Sequence, residues 1–152
     1  MKSSRFLPIL AVVLLAAPAV FAADFGVRAG RYNDGEDTFV GAEAAFDLGR
    51  FSLVPNVEYD VDSDVTAGSA NLDVTLDIAK ISRFTPYVGA GVGLAYVDTD
   101  FGDNTETLGN LIGGVRFDLD FLKPYAQIKY FRSLENNGGD NDDLALTVGL
   151  RF

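Results

Sequence analysis

Leu144-Ala145-Leu146-Thr147-Val148-Gly149-Leu150-Arg151-Phe152 puts a large apolar side chain at every second position. Successive side chains of an extended strand point to opposite faces, so period two marks a strand with one apolar and one polar side. Read back toward the start of the chain, the pattern recurs seven times. Ala126, Ile128 and Tyr130 oppose Tyr125, Gln127 and Lys129. Leu111, Gly113, Val115 and Phe117 oppose Asn110, Ile112, Gly114 and Arg116. Val88, Ala90, Val92, Leu94 and Tyr96 oppose Gly89, Gly91, Gly93 and Ala95. Leu72, Val74, Leu76 and Ile78 oppose Asn71, Asp73, Thr75 and Asp77. Phe51, Leu53, Pro55, Val57 and Tyr59 oppose Ser52, Val54, Asn56 and Glu58. Val40, Ala42, Ala44 and Phe46 oppose Gly41, Glu43, Ala45 and Asp47. Phe25, Val27 and Ala29 oppose Gly26, Arg28 and Gly30. Eight amphipathic strands read as an all-β, antiparallel, up-and-down barrel.

Such strands can bury their apolar face in two ways. A soluble, lipocalin-like barrel turns it inward around a ligand, whereas a transmembrane barrel turns it outward to lipid. Four features favour the transmembrane arrangement. Glycines 89, 91, 93, 114 and 149 lie on the polar face, where they suit an interior crowded by long side chains. Connections alternate in length: 47–50, 80–86 and 118–124 are compact, while 33–37, 60–70, 98–107 and 133–143 are mostly longer and polar. Aromatic residues cluster at strand ends. Phe25, Phe46, Phe51, Phe84, Phe117 and Phe152 are expected at the short-turn end, with Tyr32, Tyr59, Tyr96 and Tyr130 at the other. The last strand keeps strict alternation to its final residue.

Residues 1–22 read as a cleaved secretory signal peptide. Lys2 and Arg5 start it, an apolar core follows, and Val20-Phe21-Ala22 offers a small-residue cleavage site. The barrel domain is then 23–152. Losing Lys2 and Arg5 leaves 10 bases against 22 acids, a net charge of −12. Further on, the uncharged stretch 84–97 contains Pro86, Gly89, Gly91 and Gly93, too short and too poor in helix formers for a spanning helix. The acidic balance gives no footprint for nucleic acid. The chain has no cysteine and no histidine, which removes disulfides, thiolate or imidazole metal sites, and histidine-based catalysis.

Two stretches carry a family resemblance. The terminal Leu-x-Leu-x-Val-x-Leu-x-Phe, formed by Leu144, Leu146, Val148, Leu150 and Phe152, resembles the C-terminal insertion signal of bacterial outer-membrane barrels. Pro86-Tyr87-Val88-Gly89-Ala90-Gly91-Val92-Gly93 resembles a segment of the small OmpA-like and OmpX-like barrels. The resemblance implies a monomeric eight-stranded barrel in the outer membrane of a Gram-negative envelope. It also implies periplasmic termini, extracellular acidic loops, contact with outer-membrane lipid and lipopolysaccharide, and assembly by the barrel-insertion machinery. Because the sequence stops at Phe152, the peptidoglycan-binding domain of OmpA itself is not expected. Enzymes among such barrels use a catalytic histidine, which this chain lacks, so a structural or surface-interaction role without catalysis or cofactor is expected. A narrow pore is the alternative.

The polar face carries Arg28, Glu43, Glu58, Asp73, Arg116, Lys129 and Arg151. Charges confined in a narrow barrel have to pair, so these residues are expected to form an interior salt-bridge network rather than an active site. Glu43, Glu58, Arg116 and Lys129 are expected in mutual contact, with Arg28 nearby. Gly89-x-Gly91-x-Gly93 is not a dinucleotide fingerprint, because the third glycine of that motif would fall on Leu94. Of the 22 acids, 14 fall in or beside the four longer connections. Asp60, Asp62, Asp64, Asp98, Asp100 and Asp103 form the densest groups, candidates for weak Ca²⁺ or Mg²⁺ binding. Asp60-x-Asp62-x-Asp64 opens like a calcium loop, but Val65 and Asn71 stand where an EF-hand needs Gly and Glu. A solvated, self-repelling surface is therefore the simpler reading, with no metal site assigned.

Overall fold

The computed structural model describes residues 23–33, 37–62, 66–99, 102–135 and 142–152. The leader reading on 1–22, and Asp34, Glu36, Asp64, Asp100 and Asp140, lie outside the described residues. Eight strands follow in order: β1 (Ala23–Tyr32), β2 (Thr38–Leu48), β3 (Phe51–Asp60), β4 (Thr66–Asp77), β5 (Phe84–Thr99), β6 (Gly102–Phe117), β7 (Lys123–Ser133) and β8 (Asp142–Arg151). Each pairs antiparallel with its neighbours in sequence, and β8 pairs with β1 to close the barrel. Closure matters because an open edge would leave a row of backbone donors and acceptors without partners. At the seam, Gly26 faces Arg151 and Tyr32 faces Ala145. Past the end of β8, Phe152 and Phe25 exchange backbone hydrogen bonds of 2.8 and 3.1 Å.

The faces follow the alternation. Val27, Val57, Leu72, Val92, Leu111, Ile128, Leu146 and Val148 point outward and are exposed. Arg28, Glu43, Asn56, Asp73, Asn110, Gln127, Lys129, Thr147 and Arg151 point inward and are buried. The barrel is therefore inside-out, with its charges in the core and its apolar side chains on the surface. This arrangement runs opposite to the lipocalin-like alternative. The glycine stripe makes room for it. A Cβ at Gly91 would overlap Asp73 Oδ1, and one at Gly149 would overlap the Tyr125 ring.

Pro55 lies in the middle of β3 and has no N–H to give. The β2–β3 ladder skips at this point, running from Glu43↔Asn56 to Phe46↔Leu53.

β4 starts at Thr66, so connection 60–70 is shorter than expected, and two further expectations change. Connection 98–107 is mostly strand. β5 and β6 run 16 residues each, and their hairpin narrows to Thr99↔Gly102. Tyr96, Val97, Thr105 and Thr107 are β-branched or aromatic and keep the extended pattern going. Gly102 turns the chain with φ of 137°. Asp98 and Glu106 are thus strand residues, and Asp98 faces Asp103 in register. The second change concerns Tyr32. It shares the parity of Arg28 and points inward, not into an outer aromatic belt. Its ring lies 4.8 Å from Phe39 and 6.0 Å from Phe131. Phe39, Phe131 and Ala145, with Tyr32 and Leu108 against them, make an apolar plug across the lumen near the loop end.

Candidate functional site in the barrel interior

Below the plug, the inward faces bring the charged residues together in three groups rather than one. The first is built on Glu43 (β2). Arg151 Nε (β8) donates to Oε1 at 2.6 Å, while Arg28 Nη1 (β1) and the Tyr125 hydroxyl (β7) donate to Oε2 at 3.2 and 2.8 Å. The Arg151 guanidinium also lies 4.8 Å above the Tyr125 ring. Arg28 bridges to a second carboxylate, with Nη2 3.2 Å from Glu58 Oε1. Glu58 accepts further hydrogen bonds from Tyr32 and Ser69 at 3.1 and 3.3 Å.

The second group is built on Asp73 (β4). Lys129 Nζ (β7) and Asn56 Nδ2 (β3) both lie 2.8 Å from Oδ2, and Asn110 Nδ2 (β6) donates to Oδ1 at 3.0 Å. Asn71 extends the set by donating to Asn56 Oδ1 at 3.2 Å. Lys129 has no exposed surface in its side chain, and its ammonium sits 5.1 Å from the Phe131 ring, beneath the plug.

The third group lies at the short-turn mouth. Arg116 (β6) pairs with Asp77 at 3.0 Å and with Asp118 at 3.3 Å, and Thr85 donates to Asp118 at 3.2 Å. Arg116 was expected beside Glu43, Glu58 and Lys129. It stands apart from them because its strand register carries it to the end of the barrel, opposite Thr85 and Tyr125. Lys129 likewise belongs to Asp73, so of the expected cations Arg28 and Arg151 serve Glu43, together with the Tyr125 hydroxyl.

Chemically, Glu43 and Asp73 accept from donors at both oxygens, while Glu58 Oε1 meets Arg28 as an ion pair alone and Asp77 Oδ1 has no hydrogen-bond partner. Glu43 has no exposed side-chain surface, and Asp73 is held from three sides. A general base needs a free lone pair within reach of a substrate proton. Among the described residues no cluster of three metal-ligating side chains occurs. Asp60 ends β3 and Asp62 is exposed just beyond it, while Asp98 is exposed on β5.

The sequence reading missed the neutral partners: Asn56, Asn71, Asn110, Tyr125, and the Tyr87 hydroxyl that donates to Gln127 at 3.0 Å. Each has inward parity, which is the signal that identifies it. Asp77 was seen inward but not matched to Arg116.

The fold and interior together define a class: a closed, eight-stranded, inside-out antiparallel barrel. Solved structures share it. Neisserial surface protein A is similar with a TM-score of 0.69 at 17% identity, covering 86% of this chain and 96% of that one. The N-terminal β-barrel domain of Pseudomonas aeruginosa OprF is similar with a TM-score of 0.69 at 19% identity, over the same shares. The outer membrane enzyme PagL is similar with a TM-score of 0.59 at 12% identity, covering 85% of this chain and 98% of that one. No protein-family model matches the chain, and no curated protein matches it in sequence. These likenesses establish the fold, a closed eight-stranded antiparallel barrel as expected from the sequence. They do not decide catalysis, since an enzyme is among them.

Proposed function

We propose that this chain is an integral protein of the bacterial outer membrane with a structural or surface-interaction role and no catalytic activity. The observation that carries this reading is the inversion of faces. Val92, Leu111, Leu146 and Val148 stand exposed on the outside while Lys129, Asp73 and Glu43 are buried inside. An apolar surface of that extent is stable against lipid and unstable in water. In this reading residues 1–22 are a cleaved signal and both termini face the periplasm. The acidic loops face the cell exterior as a solvated, self-repelling surface. The last strand addresses the monomer to the barrel-insertion machinery. The interior groups are structural, because Glu43 and Asp73 are each held by several donors and because the chain has no histidine.

The narrow-pore reading has less support, since the Phe39–Phe131 plug and the Lys129–Asp73 pair cross the lumen in succession. Cell fractionation tests the proposal. The protein is expected in the membrane pellet, released by detergent but not by urea or carbonate, with loop cysteines introduced at Asp62 labelled on intact cells. Recovery in the soluble periplasmic fraction would overturn it. Planar-bilayer recording separates structure from pore, and steady single-channel steps would favour the pore.

A further inference from the structure

Two short turns at the end of the barrel where the termini lie form a single ledge. Turn 78–83 is closed by the bridge Ile81↔Phe84, and turn 118–122 by Leu119↔Leu122. The turns are tied to each other, with Asp118 N donating to Arg83 O at 2.8 Å. Ser82 and Asp120 hold φ of 58° and 56°, the two non-glycine residues with positive φ among the described residues. Such backbone is uncommon for side chains of this kind and fixes what the tips display.

Both tips display an apolar group; Ile81 is flanked by cations, while Phe121 lies between Asp120 and Leu122. Phe121 is 77% exposed, more than any other large apolar side chain among the described residues, and Ile81 is 63% exposed. At the foot of the ledge, Phe84 and Phe117 meet edge to face on the outer surface with centroids 4.4 Å apart. Lys80 and Arg83 flank Ile81, and residues 79–83 contain no acid. Beside them Arg50 donates from Nη2 to the Asp77 and Ile78 carbonyls, at 3.2 and 3.3 Å, which are uncharged. Behind the ledge is an open polar cavity of about 790 Å³ lined by five cations, Arg50, Lys80 and Arg83 among them, and by four carboxylates. The carboxylates there are mostly engaged. Asp77 and Asp118 hold Arg116, Asp118 also lies 4.0 Å from the exposed Lys80 ammonium, Asp24 holds Lys123, Asp47 accepts from Ser52 at 2.6 Å, and Asp120 sits at the second tip.

We propose that this ledge binds anionic phospholipid headgroups, with Ile81 and Phe121 entering the lipid interface and Arg50, Lys80 and Arg83 contacting phosphate. The proposal rests on the membrane reading above. Apolar tips immediately beyond an outward aromatic pair fall at headgroup depth, and cations on flexible stems next to them match phosphate in charge and reach. A lipid is favoured over a soluble anion because the apolar groups and the cations share one rim.

The chain has no tryptophan, so Phe121→Trp places a single reporter on the ledge, and Tyr59→Trp places one on the outer surface at the opposite end. Each full barrel is refolded into phosphatidylcholine vesicles with and without phosphatidylglycerol. The expected result is a larger blue shift and stronger quenching by brominated acyl chains at position 121 in the anionic vesicles. That gain is lost at about 1 M salt, where screening acts within about 3 Å. It is also lost when Arg50→Gln, Lys80→Gln and Arg83→Gln are combined. Position 59 is expected to shift equally in both lipids. Equal behaviour of position 121 in both lipids overturns the proposal while the membrane reading stands. So does a gain that survives the triple substitution. A tip that stays in water throughout also overturns it and points to a protein partner. No shift at either position overturns the membrane reading and this proposal with it.

Discussion

Lys129 Nζ lies 2.8 Å from Asp73 Oδ2, with at most 2% of either side chain exposed, at the centre of a barrel whose outer surface is apolar. Removing one charge leaves the other buried without its counter-ion, which is worse than removing both. Lys129→Met is therefore expected to cost about 3–5 kcal/mol of stability. Adding Asp73→Asn should recover part of that loss. Urea unfolding of the barrel in vesicles measures both, and a strictly additive double mutant would show that the pair is not coupled.

Arg116 gives the contrasting case. Its partners Asp77 and Asp118 are about one-quarter exposed, so water can replace the guanidinium. Arg116→Gln is expected to cost about 1 kcal/mol, as for ion pairs that water reaches. A loss comparable to that of Lys129→Met would mean that the mouth is drier than its exposure indicates.

The outer surface is tested at Val92, which is 54% exposed near the middle of β5. In lipid, Val92→Arg places a cation in the hydrocarbon, with an expected cost of about 2–4 kcal/mol at the midplane. In a detergent of short chain the penalty should shrink, because the headgroups come within reach of the side chain. An unchanged unfolding midpoint in vesicles would contradict the lipid-facing assignment.

Glycine positions separate the two faces in one experiment. Gly113 points outward with open space around its missing Cβ, whereas a Cβ at Gly91 meets Asp73 Oδ1. Gly113→Ala is expected to stabilise by about 0.5–1 kcal/mol through the unfolded chain. Gly91→Ala pushes Asp73 away from Lys129 and is expected to destabilise by about 1–3 kcal/mol. The same refolding titration reads both, and matching signs would refute this division of faces.

Period two made most of this barrel legible before any coordinates. The outward places of Val92 and Leu146, and the inward places of Glu43 and Lys129, need only parity along one strand. Pairing needs more. Arg151 and Glu43 are 108 residues apart and meet because β8 closes on β1. Strand parity says that both point inward, but not at what height. The same shortfall put Arg116 with the wrong carboxylates. Tyr32 was misplaced for a different reason: its type suggested an interfacial belt, and parity, the stronger constraint, put it in the lumen. The β5–β6 hairpin was cut short because Asp98 and Asp103 look like loop residues, while the β-branched residues between and beside them prolong the strands.

Phe152 combines two roles that its own chemistry can separate. Its backbone exchanges hydrogen bonds with Phe25 at the seam, so deleting the residue removes a closing pair as well as a ring. The ring itself is 59% exposed on the outer surface and packs little, which makes it available for recognition. Phe152→Ala keeps the backbone pair and removes only the ring. It is therefore expected to refold into vesicles with nearly the stability of the original chain, yet to accumulate poorly as folded barrel in cells. Deletion of Phe152 is expected to lower both, with a cost of about 1 kcal/mol or slightly more for the lost hydrogen bonds. Gel mobility of unheated samples from cells and from refolding reactions gives the two yields side by side. Normal assembly of Phe152→Ala in cells would remove the ring from the insertion signal and leave Leu144, Leu146, Val148 and Leu150 to carry it.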